Sequence, residues 1–163
     1  MKILGIDPGY ERLGIAILEK GKTGKEVVVY SECFNTSAKL PFPERLLLLG
    51  QKVKKVIKEH KPEVLAIETL FMTTNQKTVM YVSEARGVIM YEAISAKLKI
   101  FEATPLQVKI ATTGYGRADK KDVLKMVRML VDIDQNKKSD DELDAIAIAL
   151  TGFAHLKNSF PQI

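Results

Sequence analysis

The stretch "ILGIDPGYERLG", residues 3–14, decides how this chain is read. Ile3, Leu4 and Ile6 form an apolar run with Gly5 inside it, the pattern of a strand covered on both faces. Asp7 closes the run, and Pro8-Gly9 breaks it. The carboxylate stands where the core continues, so either it caps a turn or it has work to do there.

Outward from this stretch, "LGIAILEK" (13–20) predicts a second strand and "EVVVYSECF" (26–34) a β-branched third, joined by the loop "GKTGK" (21–25). Short links between the three predict an antiparallel meander. The period then changes. After Pro41 and Pro43, Leu46, Leu49, Val53, Val56 and Ile57 recur at helical spacing over 44–61, and Pro62 ends the helix. Lys52, Lys54, Lys55 and Lys58 are read as its solvated face. "VLAIETLF" (64–71) predicts a fourth strand, 76–97 a second helix, and "KIFEA" (99–103) a fifth strand. Pro105 opens a helical stretch, residues 112–121 a loop, 122–131 a further helix and 139–156 the last one. Helices separate strands 1, 4 and 5, so these should pair in parallel. The expected fold is α/β: a mixed five-stranded sheet with helices on both faces. One domain over 1–157 with a tail at 158–163 is expected.

Composition narrows the function classes. The chain has 163 residues, 46% of them apolar, which suffices for one core. No apolar run approaches the ~18–20 residues that cross a bilayer. The start shows no secretory pattern, and Cys33 has no partner for an internal disulfide, so a cytoplasmic location is expected. A net charge of +5 suits a polyanionic partner as well as a Lys-rich solvated surface.

Acids stand at three places where apolar residues belong. Asp7 ends strand 1, and Glu68 lies near the end of strand 4. Asp141 and Asp144 share one face of the last helix, which is apolar nearly all round after Leu143. Ser139 and Glu142 match a capping box and mark that helix's start. Singly, each acid has a structural reading: a turn cap, a strand end, a helix-dipole partner. Together they would crowd one sheet edge and repel. Divalent cations that favour oxygen ligands resolve that conflict, and two of them serve phosphodiester cleavage. No His/Cys cluster suggests zinc.

"GIDPG" (5–9), "AIETLF" (66–71), "EARG" (84–87) and "DELDAIAIA" (141–149) resemble, in order, the motifs of the RuvC family of Holliday-junction resolvases. The resemblance implies an RNase H-like fold and a homodimer that nicks opposing strands of a four-way junction with Mg²⁺, or Mn²⁺ in its place. It implies 5′-phosphate and 3′-hydroxyl ends, and branch-migration partners RuvA and RuvB. By motif, Asp7, Glu68, Asp141 and Asp144 match the catalytic, metal-binding acids. Phe71 stands where the family presents an aromatic to junction bases; a core Phe at a strand end is the other reading. Arg86, Lys109, Arg117 and Lys120 or Lys121 are expected to face DNA. Small residues Ala85, Gly87, Ala93 and Ala96 suit close helix approach, to the sheet or to a second subunit. The nearest competing function is another RNase H-like nuclease acting on a different branched or hybrid substrate. A two-lobed sugar-kinase-like ATPase needs a longer chain, and a metal-free junction binder would gain by losing acids beside phosphates.

Overall fold

The structure is a computed structural model that describes residues 1–22, 24–70, 76–131, 133 and 138–159, with side chains described to residue 156. Strands β1 (Lys2–Asp7), β2 (Arg12–Lys20) and β3 (Glu26–Asn35) are followed by α1 (Phe42–His60), β4 (Val64–Glu68), α2 (Gln76–Ser95) and β5 (Lys99–Ala103). Three helices complete the chain: α3 (Pro105–Thr113), α4 (Lys120–Leu130) and α5 (Asp140–Ser159). The sheet order is β3-β2-β1-β4-β5. β1 pairs antiparallel with β2 and parallel with β4, and β4 pairs parallel with β5. The mixed five-stranded sheet read from the sequence is therefore present.

Strand alternation sorts the core into two halves. Leu4, Ile6, Leu65 and Ile67 face α1 and α2, where they meet Leu49, Val53, Val56, Ala85, Ile89 and Ala93. Ile3, Val64 and Ala66 face the opposite way, onto α5 with α3 and α4. Asp7 and Glu68 continue this second set, each an even number of residues from Ile3 or Val64. Both acids thus end on the α5 side.

α5 lies against the sheet at backbone contact. A Cβ on Gly5 would come within 2.2 Å of the Ala145 carbonyl oxygen and 2.8 Å of the Ala149 Cβ. One on Gly14, the β2 partner of Asp7, would come within 2.1 Å of the Asp141 carbonyl oxygen. The capping box at the head of α5 forms as expected: the Ser139 amide donates to Glu142 (3.1 Å), and the Glu142 amide to the Ser139 hydroxyl (3.3 Å).

Several boundaries and one surface differ from expectation; α1 runs over Phe42–His60 and α5 over Asp140–Ser159. β4 stops at Glu68 because its last rung pairs with Ala103, after which Thr104 caps α3 and the ladder has no partner. α4 begins at Lys120, earlier than 122, because Asp119 and Asp122 form a reciprocal capping box. α2 ends at Ser95. Lys52 is not solvated: it is half-buried, ion-paired with Glu32, and lies 5.5 Å from the centre of the Phe34 ring. Among the described residues no helix is long and apolar enough to cross a membrane.

The glycine contact is testable. Gly5→Ala should destabilise the chain by about 3 kcal/mol in urea unfolding, since backbone rather than a flexible side chain must yield. A loss below about 1 kcal/mol would mean that α5 can lift off β1 at little cost.

Candidate active site

The parallel strands β1 and β4 deliver Asp7 and Glu68 to one edge of the sheet, the position where α/β sheets commonly hold ligands. The head of α5 supplies Asp144 from above. These three carboxylates line one cavity of about 310 Å³ with Lys109, Lys120, Pro105, Val108, Val123 and Ile148. Three helices therefore wall the acids, and two lysines overlook them.

The site carries more negative charge than it can comfortably hold. Burial, then the charges of Asp144, Glu68 and Asp141, raise the Asp7 pKa to about 7, while Lys120 pulls the other way. Burial and Asp144 raise Glu68. Burial also raises Asp144, although Lys120 donates to its Oδ2 at 2.8 Å.

Asp141 stands apart. It does not line the cavity; its carboxylate is ion-paired with Arg12, and Cys33 Sγ lies 3.6 Å from the same Oδ2. Among the described residues, no three acidic, histidine or cysteine side chains converge into a preformed cation site. Asp141 and Asp144 are instead held by protein cations, Arg12 on Asp141 and Lys120 on Asp144. The donor chemistry still fits a hard divalent cation: oxygen ligands only, and one acid whose proton affinity is raised by three others.

The remaining expected residues divide. Lys109 and Lys120 line the cavity, whereas Lys121 is exposed and does not. Arg117 is exposed in the α3–α4 loop. Arg86 points behind the strand end: its Nε donates to the Glu68 carbonyl at 3.1 Å, and its guanidinium pairs with Glu102 of β5. Phe71 lies outside the described residues. Glu142 adds no charge to the cavity; it is buried, and accepts from Ser31 of β3 (2.9 Å) and Lys138 (3.2 Å). Arg12 was not anticipated. Its signal was strand alternation, since it precedes Gly14 by two residues and so shares the face that meets α5.

The Asp7 environment fixes a pH dependence. In the unfolded chain Asp7 loses its proton near its ordinary value of 3.8, and in the folded chain near 7. Between those values the folded state holds more protons, so without metal its stability falls as pH rises from about 4 to 7. Asp7→Asn removes that loss. In EDTA at pH 8 the variant should melt higher than wild type, by roughly 2–8 °C for about 1–2 kcal/mol. At pH 4 the two should coincide. A lower Tm for the variant at pH 8 would overturn the burial and charge argument.

The profile described as "Crossover junction endodeoxyribonuclease RuvC" matches residues 3–152. A crossover junction endodeoxyribonuclease RuvC of Desulfitobacterium hafniense is 45% identical over 150 residues, 92% of this chain and 90% of that one. Among solved structures, Thermus thermophilus RuvC in complex with Holliday junction substrate superposes with a TM-score of 0.90 at 31% identity, covering 98% of this chain and 96% of that chain. The yeast mitochondrial Holliday junction resolvase shares the fold at a TM-score of 0.71 and 14% identity, covering 96% and 80%. With matches spanning its whole sheet and the head of α5, this chain belongs to the RuvC family of crossover junction endodeoxyribonucleases.

Proposed function

We propose that this chain cuts four-way DNA junctions by hydrolysing a phosphodiester on each of two opposing strands. The observation that carries the reading is the shared cavity: Asp7, Glu68 and Asp144 with Lys109 and Lys120, at the carboxyl ends of two parallel strands, in a RuvC family chain. Asp7, Glu68, Asp141 and Asp144 would hold Mg²⁺, with Mn²⁺ able to replace it. Bound there, such cations would supply activation of a water and neutralisation of charge on the leaving oxygen.

The chain's own groups bind and orient. Lys109 and Lys120 meet the phosphate from the α3 and α4 sides, offsetting the repulsion between acids and backbone. Arg117 and Lys121, both exposed, extend that positive rim along a flanking strand. Phe71 stacks on an unpaired junction base. Arg86 acts from behind as a positioning residue, tying the Glu68 carbonyl to β5 through Glu102. Water adds to phosphorus and the 3′ oxygen leaves, giving 5′-phosphate and 3′-hydroxyl ends.

Paired cuts need two sites, and α2 offers the contact. Ala85 and Ala93 turn into the core, whereas Met80, Gly87, Tyr91 and Ile94 lie outward along the other face. Tyr91 is 70% exposed and Ile94 57%. A two-fold dimer through that stripe would match the symmetry of a junction. RuvA and RuvB, as branch-migration partners, would present the junction to it.

Two experiments test this. A labelled four-way junction, a linear duplex and an RNA–DNA hybrid are incubated with Mg²⁺, Mn²⁺ or EDTA. Symmetric paired nicks in the junction alone are expected, abolished by EDTA and reduced at least about 100-fold by Asp7→Asn. Cutting of the hybrid instead would move the substrate to another RNase H-like class; binding without cutting would remove the catalytic assignment. In the second, light scattering should give wild type at twice 18.2 kDa, and Tyr91→Glu/Ile94→Glu a folded monomer. An unchanged mass would place the dimer contact elsewhere.

A further inference from the structure

Arg12 begins β2, paired in register with Asn35 of β3, and Gly14 is paired with Cys33. Alternation sends Arg12, Gly14, Cys33 and Asn35 to the face that meets α5. Because Gly14 has no side chain, the Asp141 carbonyl sits directly on β2, and the Asp141 carboxylate lands between Arg12 and Cys33. Its backbone is thus held, and the side chain is what remains free to turn. With its carboxylate on Arg12, Asp141 is absent from the lining of the cavity that Asp7, Glu68 and Asp144 share, although Asp7 feels its charge.

We infer that Arg12 is a latch on Asp141 that competes with divalent cations for its carboxylate. This rests on the metal-dependent reading above, and it goes further by assigning a role to a residue outside the acid set and outside the lysines that overlook it. With the latch closed, one of the four acids is withdrawn and the cavity presents three. A divalent cation in the cavity competes with two charges against one. Arg12's side chain is 58% exposed, so water screens its bond to Asp141 and keeps it weak enough to yield. The latch therefore lowers metal affinity in the DNA-free chain without closing the site.

The test reads binding rather than cleavage. Mn²⁺ is titrated calorimetrically into the metal-free, DNA-free chain: wild type, Arg12→Gln, Asp141→Asn and the double variant, each checked for fold by circular dichroism. Arg12→Gln should bind Mn²⁺ about 3- to 10-fold more tightly than wild type, the scale of one partly exposed ion pair. In the Asp141→Asn background the same substitution should change affinity less than about twofold, because its target is gone. Equal or weaker binding by Arg12→Gln overturns the latch. So does an equal gain in both backgrounds, which would make Arg12 a general positive charge and not a partner of Asp141. If wild type binds no Mn²⁺, the latch and the metal-dependent reading fall together; if it binds and Arg12→Gln matches it, the latch alone falls.

Discussion

Helix α5 meets β1 and β2 without side chains in between. At Gly5 the Ala145 carbonyl, and at Gly14 the Asp141 carbonyl, occupy the space a Cβ would take. This approach sets the height of α5 over the sheet, and with it the distance of Asp141 and Asp144 from Asp7. A larger residue at either position would lift the head of the helix and separate acids that come from different elements. The same contact carries half of the core, since Ile146, Ala149 and Phe153 of α5 are buried with Ile3, Ala16 and Ala66. Fold stability and site geometry therefore depend on one interface, and neither can drift without the other.

That arrangement stores electrostatic tension. Asp7 and Glu68 end strands whose other residues are apolar, so both carboxylates lose water. Asp141 enters in the first turn of α5, where free backbone amides favour negative charge, and Asp144 follows one turn in. Among the described residues neither Asp7 nor Glu68 forms an ion pair, and burial raises the pKa of both, as it raises that of Asp144. The protein pairs Asp141 with Arg12 and Asp144 with Lys120, and leaves the strand acids only the more distant charge of Lys120. A cavity that is short of positive charge at its floor and supplied with it at its rim draws a cation inward and a phosphate to its mouth.

Most of the fold was legible because each strand carries its own pattern. The apolar run from Ile3 to Ile6 and the helical spacing of 44–61 are local signals. The acids were legible for a related reason: each interrupts a pattern that is otherwise apolar. What stayed hidden depends on which partner a side chain finds. Arg86 in "EARG" looks like any exposed basic residue until β4 ends beside it and offers the Glu68 carbonyl. Lys120 and Lys121 could not be separated before the Asp119–Asp122 capping box set the phase of α4, which turns Lys120 to the cavity and Lys121 to solvent. Asp141 shares a helix face with Asp144, yet Arg12 draws it to β2. Spacing places a side chain on a face; only the neighbour on the next element decides where its charge goes.

The division of labour among the basic residues follows from the same geometry. Arg86 approaches from the α2 side of the sheet, where the strand's carbonyl is accessible but its acid is not, so it can steady Glu68 without neutralising it. Lys120 approaches from the α4 side and pairs with Asp144 directly, so it is spent until something displaces it. Arg12 approaches from β2 and pairs with Asp141. Asp141 and Asp144 thus each have their own cation, one from β2 and one from α4. If the site takes metal as proposed, divalent charge in the cavity would compete with Arg12 and Lys120 for these two carboxylates, on two sides of the site. In the proposed mechanism the loading of metal and the pairing of Arg12 and Lys120 would be coupled through Asp141 and Asp144, because one carboxylate cannot serve both partners fully at once.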